Sequence, residues 1–141
     1  MPTWIIIVII IFSLLTLFVV LSYLKLKKAT NDTGSFNLLH LSDSDFQKTI
    51  SKGVTLVDFW ADWCMPCKLL GPTISNLADD NADKAKVAKV NIETYQKIAA
   101  IYGISSIPTV VVFKNGKEVE RSVGVKPKHY YQSMIDKALN M

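Results

Sequence analysis

The first charged side chain in the sequence is Lys25. Ahead of it runs Trp4–Leu24, WIIIVIIIFSLLTLFVVLSYL, whose small polar residues are Ser13, Thr16 and Ser22. As a helix at ~1.5 Å per residue this run spans roughly 31 Å, about one hydrocarbon core. Being apolar on every face, it offers no polar side to water and does not suit the core helix of a soluble protein. The three hydroxyls can bond back to helix carbonyls. Trp4 and Tyr23 stand at the ends, where amphipathic rings favour the membrane–water interface. A cleaved signal peptide would need a basic start, a shorter apolar core and a small-x-small cleavage site. Here the chain opens Met-Pro-Thr and the run is followed by Lys-Leu-Lys-Lys. The reading is therefore a single transmembrane helix over about 4–24, within an anchor and basic flank over 1–28, with the lipid bilayer as its partner. Lys25, Lys27 and Lys28 all lie on the C-terminal side, so the positive-inside rule predicts that the chain beyond them is on the cytoplasmic face. The alternative is the extracytoplasmic face. The distinction matters because the compartment decides whether thiols stay reduced.

Ala29–Ser35, ATNDTGS, is small, polar and turn-prone, and reads as a linker over 29–35 that reaches at most about 24 Å. The remainder, 36–141, suits one domain of ordinary size. From Phe36 onward 13 Lys and Arg face 11 Asp and Glu, scattered along the chain. That balance gives no electrostatic footprint for nucleic acid, which is excluded as a partner.

Hydrophobic patterning predicts a strand over Phe36–Leu41, then a helix with Ser42 as its N-cap and Gly53 as its stop. Val54–Trp60 is apolar on both faces and predicts a central buried strand. A helix follows from the cysteines to Asp80, with Pro72 inside it. Lys86–Ile92 predicts a strand. A helix capped by Thr94 and ended by Gly103 comes next, then the buried strand Thr109–Phe113. Asn115-Gly116 marks a tight hairpin, since both residues tolerate positive φ. The paired strand leads to a closing amphipathic helix with Tyr130, Met134, Ile135 and Leu139 as its apolar positions. The order β α β α β α β β α predicts an α/β fold, a mixed central sheet flanked by helices on both faces.

FWADWCMPCKLLGP, residues 59–72, holds both cysteines of the chain. At a strand-to-helix junction, Cys64 lies at the helix N-terminus, where free N–H groups and the helix dipole stabilise a thiolate. Cys67, one turn later, can close a disulfide after Cys64 has attacked a substrate. Pro66 suits a first turn, because its missing N–H has no helical partner anyway. A zinc site would need four ligands, and beyond the two cysteines the chain offers only His40 and His129. No metal site is expected. A purely structural disulfide closing so short a loop would remove little unfolded-state entropy. Redox chemistry is the favoured reading.

VDFWADWCMPCKLLGP, GISSIPT, FKNGK and Val123-Gly124, met in this order, closely resemble the thioredoxin family, from about Phe36 to Leu139. The resemblance implies a thioredoxin fold preceded by the transmembrane helix. It implies a thiol-disulfide oxidoreductase with Cys64 as nucleophile and Cys67 as resolving thiol, and with no cofactor. Asp58, a carboxylate in a strand built for burial, would be the proton acceptor for Cys67, and Lys89 its partner. Pro108 would follow a cis peptide bond and face the cysteines, leaving the backbone of Ile107 for an extended substrate. Trp63, Met65, Pro66 and Gly124 complete the implied substrate surface. Met65 departs from the family, which typically has glycine there. Pro66 is the residue kept by the reducing members, so the expected activity is a membrane-tethered protein-disulfide reductase. Its implied partners are disulfide-containing protein substrates and a thioredoxin-reductase-like or membrane electron donor. Two other readings stand beside it: an extracytoplasmic thiol reductant in protein maturation, and a non-catalytic docking module.

Overall fold

The structure, a computed structural model, describes residues 2–30 and 35–141, with side chains described outside 23–30. The chain divides into two units, Met1–Asp32 and Thr33–Met141. In the first, helix α1 covers Thr3–Thr30, with a segment long and apolar enough to cross a membrane over Thr3–Ser22. Between Trp4 and Leu21 its large side chains, the half-exposed Ile5 aside, are exposed, as expected for a stretch with no polar face. The Thr16 hydroxyl donates to the Ser13 carbonyl at 2.9 Å. The helix runs past residue 24 and takes in the basic flank; of the expected linker, residues 31–34 lie outside the described residues.

The second unit is β1 (Leu38–His40), α2 (Phe46–Ile50), β2 (Val54–Trp60), α3 (Met65–Asp80), β3 (Lys86–Asn91), α4 (Gln96–Ile101), β4 (Thr109–Lys114), β5 (Lys117–Val123) and α5 (Lys128–Asn140). The sheet order is β1-β3-β2-β4-β5. β1, β3 and β2 are parallel, and β4 and β5 are antiparallel to their neighbours. The expected mixed sheet is therefore present. β2 occupies the centre, which explains its lack of alternation: both of its faces are covered. On one face Leu56, Val87, Val110 and Val112 pack against Leu70, Ile74 and Leu77 of α3 and Met134 and Ile135 of α5. On the other, Val57, Phe59, Val111 and Phe113 meet Phe46, Ile50 and Ile98 of α2 and α4. Phe46 and Phe113 meet edge to face there at 5.8 Å. Each such buried side chain contributes about 1.5–3 kcal/mol of transfer free energy.

The hairpin forms as predicted, with Asn115 at φ 49° and Gly116 at φ 83°. Four expectations are corrected. β1 is only Leu38–His40, and Phe36 is fully exposed. Ser42 is not a side-chain cap: the Asp45 carboxylate accepts its N–H at 2.6 Å and its hydroxyl at 3.0 Å, and α2 starts only at Phe46. An acid three residues on reaches back and ties Ser42 into a turn. Thr94 does not cap α4, which begins after Tyr95. Asn91 organises that turn, its carbonyl accepting Tyr95 N–H and its side-chain oxygen accepting Glu93 N–H, each at 2.9 Å. On α5 the buried residues are Tyr131, Met134, Ile135 and Ala138, while Tyr130 is 37% exposed. Adjacent tyrosines weigh the same in a periodicity, so only packing settles which one turns inward.

Candidate active site

β2 ends at Trp60, and the loop to α3 carries Trp63 and Cys64. Cys64 is the N-cap of α3, in extended conformation, and its Sγ accepts the Cys67 N–H at 3.2 Å. Helices leave their first N–H groups unpaired, and here sulfur takes one of them. Pro66 sits in the first turn, where it removes no helical bond. Cys64 and Cys67 are joined as a disulfide with Cα atoms 5.3 Å apart, and both are buried. They form a small cluster with Ala61, against which Trp60, Ile92 and Ile107 pack. Trp63 and Met65 stand outside it, 68% and 64% exposed.

The peptide bond Ile107-Pro108 is cis. Pro108 is buried, Ile107 is half-buried against the disulfide cluster, and Ile107 makes no backbone hydrogen bond among the described residues. The Thr109 hydroxyl donates to Ser106 O at 2.7 Å and closes the turn around this proline. Gly124, at φ 83°, donates its N–H to Pro108 O at 2.8 Å.

Asp58 is fully buried. In register it lies between Lys89 on β3 and Val110 on β4. Neither carboxylate oxygen has a hydrogen-bond partner among the described residues. Burial pushes its pKa up to about 7, against the opposing pull of the Lys89 charge. Lys89 is itself buried, its Nζ 4.6 Å from the centre of the Trp60 ring. A Cβ at Gly71 would lie 4.0 Å from that Nζ, so the ammonium sits against α3. Cys67 and Gly71, four residues apart, share the buried face of that helix. Asp58 and Lys89 thus occupy the space between sheet and α3, on the inner side of the cysteines.

Reading along the sequence missed the residues that hold this arrangement. Glu93 Oε2 accepts the Asp62 N–H at 3.0 Å, and Asn91 Nδ2 donates to Asp62 Oδ2 at 3.2 Å. Together they tie the loop carrying Trp63 to the end of β3. Thr109 and Tyr131 were missed as well. Asn91 offered a signal, a polar residue ending a buried strand; Tyr131 offered none beyond its twin. His40 and His129 are exposed.

The thioredoxin family model matches residues 37–137. Thioredoxin of Bacillus subtilis is 42% identical over 102 residues, covering 72% of this chain and 98% of that protein. A thioredoxin of Staphylococcus epidermidis is 43% identical over the same length and coverage. Among solved structures, a mutant thioredoxin from Halobacterium salinarum superposes with a TM-score of 0.70 at 31% identity, covering 77% of this chain and 96% of that one. A dithiol at a strand-to-helix turn can arise by convergence, but identity sustained across nearly the whole of a relative cannot, and the chain belongs to the thioredoxin family of thiol-disulfide oxidoreductases.

Proposed function

We propose that this oxidoreductase is a protein-disulfide reductase tethered to a membrane by α1, with its redox domain on the cytoplasmic face. The observation that carries the dithiol chemistry is the Cys64–Cys67 pair at the start of α3, with Asp58 as a buried carboxyl of pKa about 7 on the α3 side of the sheet. Pro66, the residue kept by the reducing members of the family, favours the reductive direction. In the reduced protein, the N-cap position favours the Cys64 thiolate. That thiolate attacks one sulfur of a substrate disulfide. A Cys64–substrate disulfide forms, and the other substrate sulfur leaves as a thiolate that takes a proton from water. Cys67 then gives its proton to ionised Asp58 and attacks the Cys64 sulfur. The second substrate thiolate leaves, and the protein ends as the Cys64–Cys67 disulfide. Two electrons have passed to the substrate. A donor resembling thioredoxin reductase, or a membrane electron carrier, must return them.

Lys89 is the charge that opposes burial at Asp58 and keeps its pKa from rising further. The backbone of Ile107, before the cis Pro108, has no partner among the described residues, which supports pairing with an extended substrate segment. Trp63, Met65, Pro66 and Gly124 supply the rest of the docking surface. The membrane reading rests on the Thr3–Ser22 segment, and its sidedness on Lys25, Lys27 and Lys28. The corresponding domain division is an anchor over 1–28, a linker over 29–35 and a redox domain over 36–141.

The decisive experiment is Cys67→Ser in the full chain expressed in cells. The variant should accumulate mixed disulfides with cytoplasmic proteins through Cys64, released by dithiothreitol. Absence of adducts would remove Cys67 from the resolving role. Labelling of Cys64 in intact cells by a membrane-impermeant thiol reagent would move the domain to the extracytoplasmic face.

A further inference from the structure

Tyr131 stands early in α5 and is completely buried in the core between that helix, α3 and the sheet. A phenol is a costly occupant of such a position, because phenylalanine would fill the space with no polar atom to satisfy. Its hydroxyl is satisfied at the edge of the core. It donates to Gly124 O at 3.1 Å and accepts the Lys126 N–H at 2.9 Å. Gly124 is thereby held from both sides, since its own N–H donates to Pro108 O at 2.8 Å. The Tyr131 hydroxyl, the Gly124 peptide units and the Pro108 carbonyl stand in series. Gly124 at φ 83° adopts a conformation that glycine holds without steric cost, and a free chain there would wander widely. Beyond its chain neighbours, nothing lies within 4 Å of where its Cβ would be, so no packed side chain fills that side of it. The hydrogen bonds confine it. Burial pushes the Tyr131 phenol pKa up, so the proton given to Gly124 stays in place at neutral pH.

We propose that Tyr131 is a positioning residue for protein substrates: acting through Gly124, it holds the Pro108 edge at the place where an extended substrate segment pairs. This rests on the reading of that edge as the substrate-binding edge. A hydroxyl in the core then sets affinity for protein disulfides. A small disulfide, which pairs with no backbone edge, is indifferent to it.

The test is Tyr131→Phe in the full chain in detergent micelles, which keeps the ring and removes the hydroxyl. Wild type and variant are compared in insulin turnover with dithiothreitol as the electron donor and, pre-reduced and freed of reductant, in a single reaction with dithiobis(nitrobenzoate), with amide hydrogen exchange read at Gly124 and Lys126. Loss of ordinary hydrogen bonds should raise KM for insulin about two- to tenfold, with kcat and the small-disulfide rate within about twofold. Exchange at both amides should quicken by at least about fivefold. An unchanged insulin KM, equal losses on both substrates, or unchanged exchange overturns the proposal. So does a variant that no longer melts cooperatively, since the hydroxyl would then serve the fold itself. Failure of the wild type to reduce insulin would strike the reductase reading instead, and the exchange rates would still decide whether Tyr131 pins Gly124.

Discussion

On the sheet side of the disulfide, Asp58 and Lys89 are charged groups taken out of water. On the solvent side, Trp63 and Met65 are large apolar groups left in it. Each side inverts the ordinary rule of solvation, and each inversion has its own consequence. Burial moves a carboxyl pKa from 3.8 to about 7, into the range where it can exchange protons with a thiol. Exposure leaves an apolar rim free to cover a partner. On the proposed reading, the inner side serves proton transfer and weighs on stability, and the outer side serves encounter. Substitutions on the two sides should therefore fail in different assays.

The largest effect sits on the boundary between them. Cys64→Ser should reduce insulin turnover to background, because the hydroxyl neither ionises near neutral pH nor exchanges with a disulfide. Residual turnover above background would mean that Cys67 attacks substrate directly, and the division into inner and outer roles would break.

Next in size is Asp58→Asn. The folded pKa is raised, so Asp58 is least unfavourable to the fold below 3.8, where both states are protonated. Its cost grows as pH rises from 3.8 to about 7 and is complete above that. A shift of this size corresponds to about 4 kcal/mol. Asp58→Asn should therefore raise stability at pH 8 by up to about 4 kcal/mol, with the gain vanishing near pH 4. Denaturant melts at the two pH values check this, and a destabilised variant at pH 8 would show that the carboxylate is compensated.

The same residue should set the pH profile of the resolving step. In the wild type, release of substrate from the mixed disulfide should slow about tenfold per pH unit below 7, as Asp58 becomes protonated and stops accepting. Asp58→Asn should be slow and show no such break near 7. Stopped-flow decay of a preformed mixed disulfide measures it.

Smaller effects belong to the rim. Met65→Ala should leave stability within about 0.5 kcal/mol, as for an exposed side chain. It should raise KM for protein disulfides about two- to fivefold while sparing a small disulfide. A change in the pH profile instead would mean that Met65 acts on the sulfur chemistry. Glu93→Ala should do least, about 1 kcal/mol of stability at most from one hydrogen bond to the Asp62 N–H. Trp fluorescence would report whether the Trp63 loop loosens with it.

Much of this comparison was legible in the residues. Asp58 stood out because a carboxylate contradicts the burial that VTLVDFW demands. The N-cap position of Cys64 followed from a buried strand giving way to a helix at the cysteines. The ties between distant segments escaped. Glu93 reaches Asp62 across 31 positions, and Arg121 on β5 donates to Tyr102 O just past α4. No local pattern encodes such a pair, because both partners are ordinary surface residues until the sheet order brings them together. The caps at Ser42 and Thr94 failed for the opposite reason. Each was a sound local signal, overridden by Asp45 in one turn and by Asn91 in the other.

The sequence by itself determined the long apolar helix ahead of the first charges, the order of the strands and helices, the dithiol at a helix start and a carboxylate in a strand built for burial. These depend on periodicity, propensity and solvation, which act over one or two turns of chain. Tertiary structure alone decided that Tyr131 and not Tyr130 enters the core, that Lys89 rests on the Trp60 ring against Gly71, and that Gly124 is strung between Pro108 and a buried phenol. Those outcomes depend on which side chains fill the space between one sheet and two helices. Close packing resolves that choice among residues that hydropathy ranks alike.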